Sequence, residues 1–142
     1  MSVASRRLYV IRVLKMSVPR KQLIDTYTSL VRSILEYCAP LFSSISARDS
    51  CRLERLQKRF HRSICGIDCK CDSFPSLEER RFMLSMNLLN IIMSSREHIL
   101  HHLLPVRSSS GRFILPARRT TCRSNSFFPY ACERFNLFVH KA

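Results

Sequence analysis

The sequence predicts an all-α protein: an irregular bundle of four to five helices, then a C-terminal extended basic segment and a terminal helix. Three observations predict it. From Leu23 to Cys38, the residues Leu23, Ile24, Tyr27, Leu30, Val31, Ile34, Leu35 and Cys38 recur at intervals of one, three or four, the wide apolar stripe of a core-facing helix. The 142 residues hold two glycines and six prolines, too few for the many turns of a β-sandwich. Ser76-Leu77-Glu78-Glu79 places a capping serine three residues before a glutamate and just ahead of an apolar run, which marks a helix start. An apolar fraction of 46% is that of a globular chain, one domain in length.

The elements follow in order. Ala4 to Met16 reads as a first short helix, in which Leu8, Ile11 and Leu14, with Tyr9, Val10 and Val13 beside them, make one broad apolar face and Arg6, Arg7, Arg12 and Lys15 lie mostly on the other. Ser17-Val18-Pro19 breaks it. Pro19 can open the second, central helix, since a first-turn proline gives up an amide that has no partner anyway. Pro40 can close it near Cys38, since the residue before a proline is pushed out of the helical region. Ser46 is a possible cap for a third helix, Ala47 to Ile64, with Leu53, Leu56, Phe60 and Ile64 as a narrow apolar line. The capping serine at 76 opens a fourth helix to about Ser94, apolar nearly all round from Phe82 to Met93 and so expected to be buried on more than one side. Arg96 to Leu104 reads as a short helix ended by Pro105. Val106 to Asn125 has no periodicity and reads as extended and basic. Ser126 to Val139 reads as the last helix.

Charge is the strongest global signal. The chain carries 24 Lys and Arg against 10 Asp and Glu, a net +14, and only five of the 24 are Lys. The excess is spread, +8 in residues 1–72 and +6 in 73–142. Arginine suits bidentate pairing with phosphate and stacking on bases, so the balance points to a polyanion, and to nucleic acid before others. In the third helix Arg48, Arg52, Arg55, Arg59 and Arg62 are spaced four, three, four and three, with Lys58 beside them. That spacing puts the arginines on a single face, where like charges repel by roughly 0.2–0.5 kcal/mol per pair. An anion would relieve that repulsion, and these six residues are the candidate phosphate contacts; a solvated face serving solubility is the plainer alternative.

Other chemistry is thinly represented. His61, Cys65, Cys69 and Cys71 are the right ligand types for tetrahedral zinc, but Cys-x3-Cys and Cys-x-Cys are not the usual Cys-x2-Cys knuckle. Reduced loop cysteines are the expectation, with no metal or other cofactor. His98, His101 and His102 cluster without a matching carboxylate or thiol, and are expected to be satisfied imidazoles at a helix end. Glu78 and Glu79 are helix-start residues favoured by the dipole. A glycine-rich phosphate loop, a nucleophile elbow and an acidic pair for two-metal catalysis are all absent from the sequence. No run reaches the roughly 18 apolar residues of a membrane span, so no membrane partner is expected. Seven cysteines without a signal-peptide pattern imply reduced thiols, inside the cell, in nucleus or cytoplasm.

Four stretches, in order, carry a family resemblance. The first is Ala4-Ser5-Arg6-Arg7-Leu8-Tyr9 through Leu14-Lys15, with Val18-Pro19. The second is Tyr27-Thr28-Ser29-Leu30-Val31-Arg32-Ser33-Ile34-Leu35-Glu36-Tyr37, leading to Pro40. The third is Leu53-Glu54-Arg55-Leu56-Gln57-Lys58-Arg59. The fourth is Pro75-Ser76-Leu77-Glu78-Glu79-Arg80-Arg81, with Asn125-Ser126-Phe127-Phe128-Pro129-Tyr130-Ala131 and Phe135-Asn136 near the end. Spanning nearly the whole chain, they resemble the C-terminal part of reverse transcriptases from non-LTR, LINE-like retrotransposons of the jockey type. Where that family often has tryptophan, this chain has Phe42 and Phe135, which keep an aromatic ring.

The resemblance implies a thumb-like helical region at 1–72, a helical extension at 73–105, and an extended basic segment with a terminal helix at 106–142. It implies an RNA or DNA template–primer duplex as partner, gripped through its backbone. The catalytic aspartates would lie in a palm upstream, a second expected partner absent from this chain, so the chain alone is expected to show no polymerase activity. Two other readings stand beside it: a helical protein-interaction module using Phe82 to Met93, and a small zinc-dependent nucleic-acid-binding protein using Cys65 to Cys71.

Overall fold

The computed structural model describes residues 3–41, 45–65, 75–117, 120 and 126–139, and among them the fold is all-α. The helices are α1 (Val3–Leu14), α2 (Arg20–Tyr27), α3 (Ala47–Cys65), α4 (Leu77–Ser94) and α5 (Phe127–Val139). The chain divides into two compact units, residues 1–37 with 46–80, and residues 38–45 with 81–142.

The first unit is built on α1, α2 and α3. Ala4, Leu8 and Ile11 of α1 meet Leu23, Tyr27 and Val31 from the central helical stretch and Phe60 and Ile64 of α3. The Tyr27 and Phe60 rings stack, with centroids 3.8 Å apart and planes 12° from parallel. Pro19 stands at the start of α2, and its carbonyl accepts the first helical bond from the Leu23 amide at 3.1 Å.

The central helix is less regular than its stripe predicts. After Tyr27 it passes through a π-helical turn, Thr28–Arg32, and a last turn, Ser33–Leu35. The hydroxyls of Thr26, Thr28, Ser29 and Ser33 each donate to the carbonyl four residues back, within the element. Those carbonyls are the acceptors of the regular backbone ladder, and such back-bonding loosens a helix. The helix ends at Leu35 and not at Cys38, because Cys38 has a φ of 52°, which cannot continue a right-handed helix.

Ser46 caps α3 as expected: its Oγ accepts from the Asp49 amide at 3.1 Å and donates to Asp49 Oδ2 at 2.8 Å. Ser76 does the same for α4, accepting from the Glu79 amide at 3.0 Å.

The second unit packs Leu89 and Ile92 of α4 against Phe113 and against Phe127, Ala131 and Cys132 of α5. The expected helix at Arg96–Leu104 is a series of tight turns with one 3-10 turn at His101–Leu103. His98, His101, Leu103 and Leu104 each bond three residues back, and the Leu100 amide donates to His98 Nδ1 at 3.1 Å instead of to a backbone carbonyl. The described part of the basic segment closes into a small hairpin bridged at Arg107 and Phe113. Its turn places Gly111 at φ 79°, a left-handed conformation that glycine takes without strain. Asn136 of α5 holds this hairpin: its Oδ1 accepts from the Phe113 amide at 2.8 Å and its Nδ2 donates to the Phe113 carbonyl at 2.9 Å.

α4 is not apolar-buried all round. Leu77, Arg81, Ser85, Leu89 and Ile92 form its buried line, while Met83 and Ile91 are exposed beside Asn87 and Asn90.

Candidate nucleic-acid interface

The buried residues of α3 are Gln57, Phe60 and Ile64, with Leu53 and Leu56 half-buried. Turned away from them are Arg48, Arg52, Arg55, Lys58, Arg59 and Arg62, all exposed. From Arg48 to Arg62 the ridge runs roughly 21 Å along the helix axis at 1.5 Å per residue.

Two acids share this helix: one touches the face only at Arg52, and the other is turned off it. Asp49 closes the α3 cap with Ser46, and its other carboxylate oxygen lies 3.5 Å from Arg52 Nη1. Both partners of that pair are more than half exposed, so solvent screens it and it contributes little. Glu54 is turned off the ridge: its Oε1 accepts from the Glu78 amide at 3.1 Å, in the first turn of α4. There it meets an orphan amide and the positive end of a helix dipole. Among the described residues, Arg48, Arg55, Lys58, Arg59 and Arg62 form no ion pair.

A polar support behind the ridge was not legible in the sequence. Gln57, buried among apolar neighbours, accepts from the Tyr27 hydroxyl at 3.4 Å and donates to the Pro75 carbonyl at 3.1 Å. Burial pushes the Tyr27 hydroxyl up to about 12. Glu36 receives Arg32 at 2.7 Å and both Arg80 Nε and Arg80 Nη2, the latter at 2.8 Å. Burial alone would raise the Glu36 carboxyl, but the hydrogen bonds from Arg80 and Arg32 outweigh it and hold the group below the usual carboxylate range. The signal available for this pair was the Arg32/Glu36 spacing of four; nothing in the sequence pointed to Arg80.

Of the four zinc candidates, His61 is half-buried edge-on to Phe60, with ring centroids 6.0 Å apart, and burial lowers its imidazole below its ordinary value. Cys69, Cys71 and the side chain of Cys65 lie outside the described residues. No group of three or more His, Cys, Asp or Glu among the described residues is placed to hold a metal ion, the histidines at 98, 101 and 102 included. No described helix is long and apolar enough to cross a membrane.

Comparisons with protein-family models, with curated proteins and with solved structures each return no match.

Proposed function

We propose that this chain is a thumb-like, template–primer-contacting region of a retrotransposon RNA-directed DNA polymerase, one that grips the duplex by its phosphates and leaves the chemistry to a palm. The observation that carries the binding is the largely uncompensated outer face of α3: six exposed cations, of which only Arg52 has an acid beside it, an exposed Asp49 that also caps the helix, while Glu54 turns to α4. The order of the four sequence stretches carries the assignment to a polymerase. Arginine forks and a lysine at this spacing suit phosphate oxygens and read no base edges, so binding is independent of sequence.

The test is binding of an RNA–DNA primer–template duplex across a salt series. If all six cations meet phosphate, the logarithm of affinity falls against the logarithm of salt with a slope of about −5. The combined change Arg52→Glu, Arg55→Glu, Arg59→Glu abolishes binding while circular dichroism stays helical. Binding that ignores salt, or no binding by the unaltered chain, sinks the proposal.

A second reading, a helical protein-interaction module, is supported by α1 more than by the Phe82 to Met93 stretch. Tyr9, Val10 and Val13 are 66%, 53% and 59% exposed on the side of α1 away from its buried Ala4, Leu8 and Ile11. On that reading an environment-sensitive dye binds the purified chain, and Val10→Lys with Val13→Lys removes the signal. A chain that binds no dye argues against it.

A further inference from the structure

The ridge on α3 receives one more guanidinium, from another helix. Arg12 of α1 donates its Nε–H to Ser63 Oγ at 3.3 Å. Ser63 follows Arg62 directly and lies one helical turn beyond Arg59. Arg12 is therefore delivered to the end of the ridge where Arg59 and Arg62 stand, and its residue is exposed there. No carboxylate among the described residues pairs with any of the three.

How Arg12 is held matters as much as where. A guanidinium has five N–H donors, one on Nε and four on the two Nη atoms. The bond to Ser63 uses the Nε donor. The four Nη hydrogens take no partner among the described residues, and the Nη pair is an edge that can grip two oxygens of one phosphate. A fork already held by its neck loses less freedom on binding than a swinging one. The opposite end of the ridge differs, because there Asp49 stands next to Arg52.

We infer that Arg12, Arg59 and Arg62 form a two-helix phosphate anchor, in which Arg12 is held ready by Ser63 and a backbone phosphate of the duplex is bound where α1 meets the end of α3. The inference rests on the proposed duplex-binding reading and adds to it a residue outside the α3 ridge, with a polarity: the Arg62 end binds more strongly than the Arg48 end.

The experiment measures the affinity of the full chain for the same RNA–DNA primer–template duplex over a salt series, with four variants. Arg12→Gln is expected to weaken binding about tenfold, as loss of a charge-assisted contact does, and to make the salt slope shallower by about 0.9. Ser63→Ala keeps the charge and releases the fork, so affinity falls a few-fold at an unchanged slope. Arg48→Gln costs less than Arg12→Gln. Lys21→Gln, an exposed cation on α2, measures the generic effect of one lost charge. Circular dichroism checks that each variant is folded, and Ser63→Ala carries the test if Arg12→Gln is not. Overturning results are Arg12→Gln equal to Lys21→Gln, or Ser63→Ala without effect, while the triple α3 reversal still abolishes binding; then the ridge reading stands and the anchor falls. If the unaltered chain binds no duplex, the parent reading fails and takes the anchor with it.

Discussion

In the first unit the centre is a ring stack tied into polar chains. Tyr27 lies on Phe60, its hydroxyl reaches Gln57, and Gln57 reaches the Pro75 carbonyl. Beside it Glu36 holds Arg32 and Arg80. In the second unit the central cluster is apolar: Leu89, Ile92, Phe113, Phe127, Ala131 and Cys132, with Asn136 fastening the hairpin from its edge. The buried Arg81 and Ser85 on α4 lie outside the cluster, where Ser85 Oγ donates to the Arg81 carbonyl. Apolar packing is tolerant of shape, whereas a buried polar chain demands each partner in place. The unit with the demanding interior is the one that carries the basic ridge. A ridge of like charges works against its own helix, and a core with fixed partners holds that helix in register while its outer face, Arg52 apart, stays unpaired.

The largest effect tests whether the two interiors are separate. Phe60 is fully buried, and Phe60→Ala is expected to cost about 3–5 kcal/mol. The chain has no tryptophan and four tyrosines, of which only Tyr130 lies in the second unit. In a Tyr130→Phe background tyrosine fluorescence follows the first unit, and mass-spectrometric labelling of the buried Cys132 thiol follows the second. The expected outcome is early loss of the tyrosine signal with Cys132 still protected. If Cys132 becomes reactive at the same temperature, the two interiors unfold as one and the comparison breaks.

Next in size is the edge of the second unit. Asn136→Ala leaves the amide and carbonyl of Phe113 without their partner, at about 1–3 kcal/mol. Asn136→Asp keeps an acceptor for the amide and loses the donor to the carbonyl, so it recovers only part of that. Hydrogen exchange at Phe113 reads both variants, with the alanine form the faster. Exchange unchanged in either would mean that the ring contacts of Phe113, with Phe135 at 5.4 Å and Arg107 at 4.8 Å, hold the hairpin unaided.

Much of this organisation was legible in the sequence because periodicity and capping are local. The serine caps at 46 and 76 and the single-faced arginine spacing appear as read, and of the central stripe Leu23, Tyr27 and Val31 are buried while Leu30 is exposed and Cys38 lies beyond the helix. What was not legible depends on partners distant in the chain. Gln57 reads as a polar residue in a basic helix until Tyr27 and Pro75 surround it. Glu54 reads as a counter-charge to the ridge until α4 presents an amide to it. Arg12 reads as part of the polar face of α1 until Ser63 fixes its fork. The helical ending at Leu35 was missed because a positive φ at a cysteine has no composition signal, and the turns at 96–104 because His98 takes an amide that a side-chain pattern does not reveal.

Acid and alkali should separate the units by smaller steps. In the first unit Glu36 sits below the usual carboxylate range and His61 below the ordinary imidazole value. Both folded values are depressed, so the unfolded chain binds more protons and stability is lost as pH falls. The loss begins below about pH 6.5 through His61 and continues through Glu36 once the carboxylate range is passed. In the second unit burial pushes the Cys132 thiol up to about 11, against a smaller opposing pull from Arg107. Its contribution is complete below the ordinary thiol range and disappears as pH rises toward 11. Mild acid is therefore expected to lower the tyrosine-monitored transition first, and pH between about 9 and 10 to raise Cys132 labelling before Tyr27 responds. The reverse order contradicts the comparison.

The smallest effect bears most directly on how the ridge stays uncompensated. Glu54→Gln keeps an acceptor for the Glu78 amide and removes one negative charge from the start of α4. The stability loss is that of a helix-dipole contact, about 0.3–1 kcal/mol. If Glu54 faces α4 as its hydrogen bond indicates, duplex affinity is nearly unchanged, because the charge removed was never on the binding face. Asp49→Asn is the paired experiment: Asp49 stands beside Arg52, so its neutralisation frees that guanidinium and tightens binding slightly. Equal gains from the two variants would place Glu54 on the ridge after all. A gain confined to Asp49→Asn, with the stability cost of Glu54→Gln seen in thermal melting, separates an acid that caps a helix from one that screens a charge.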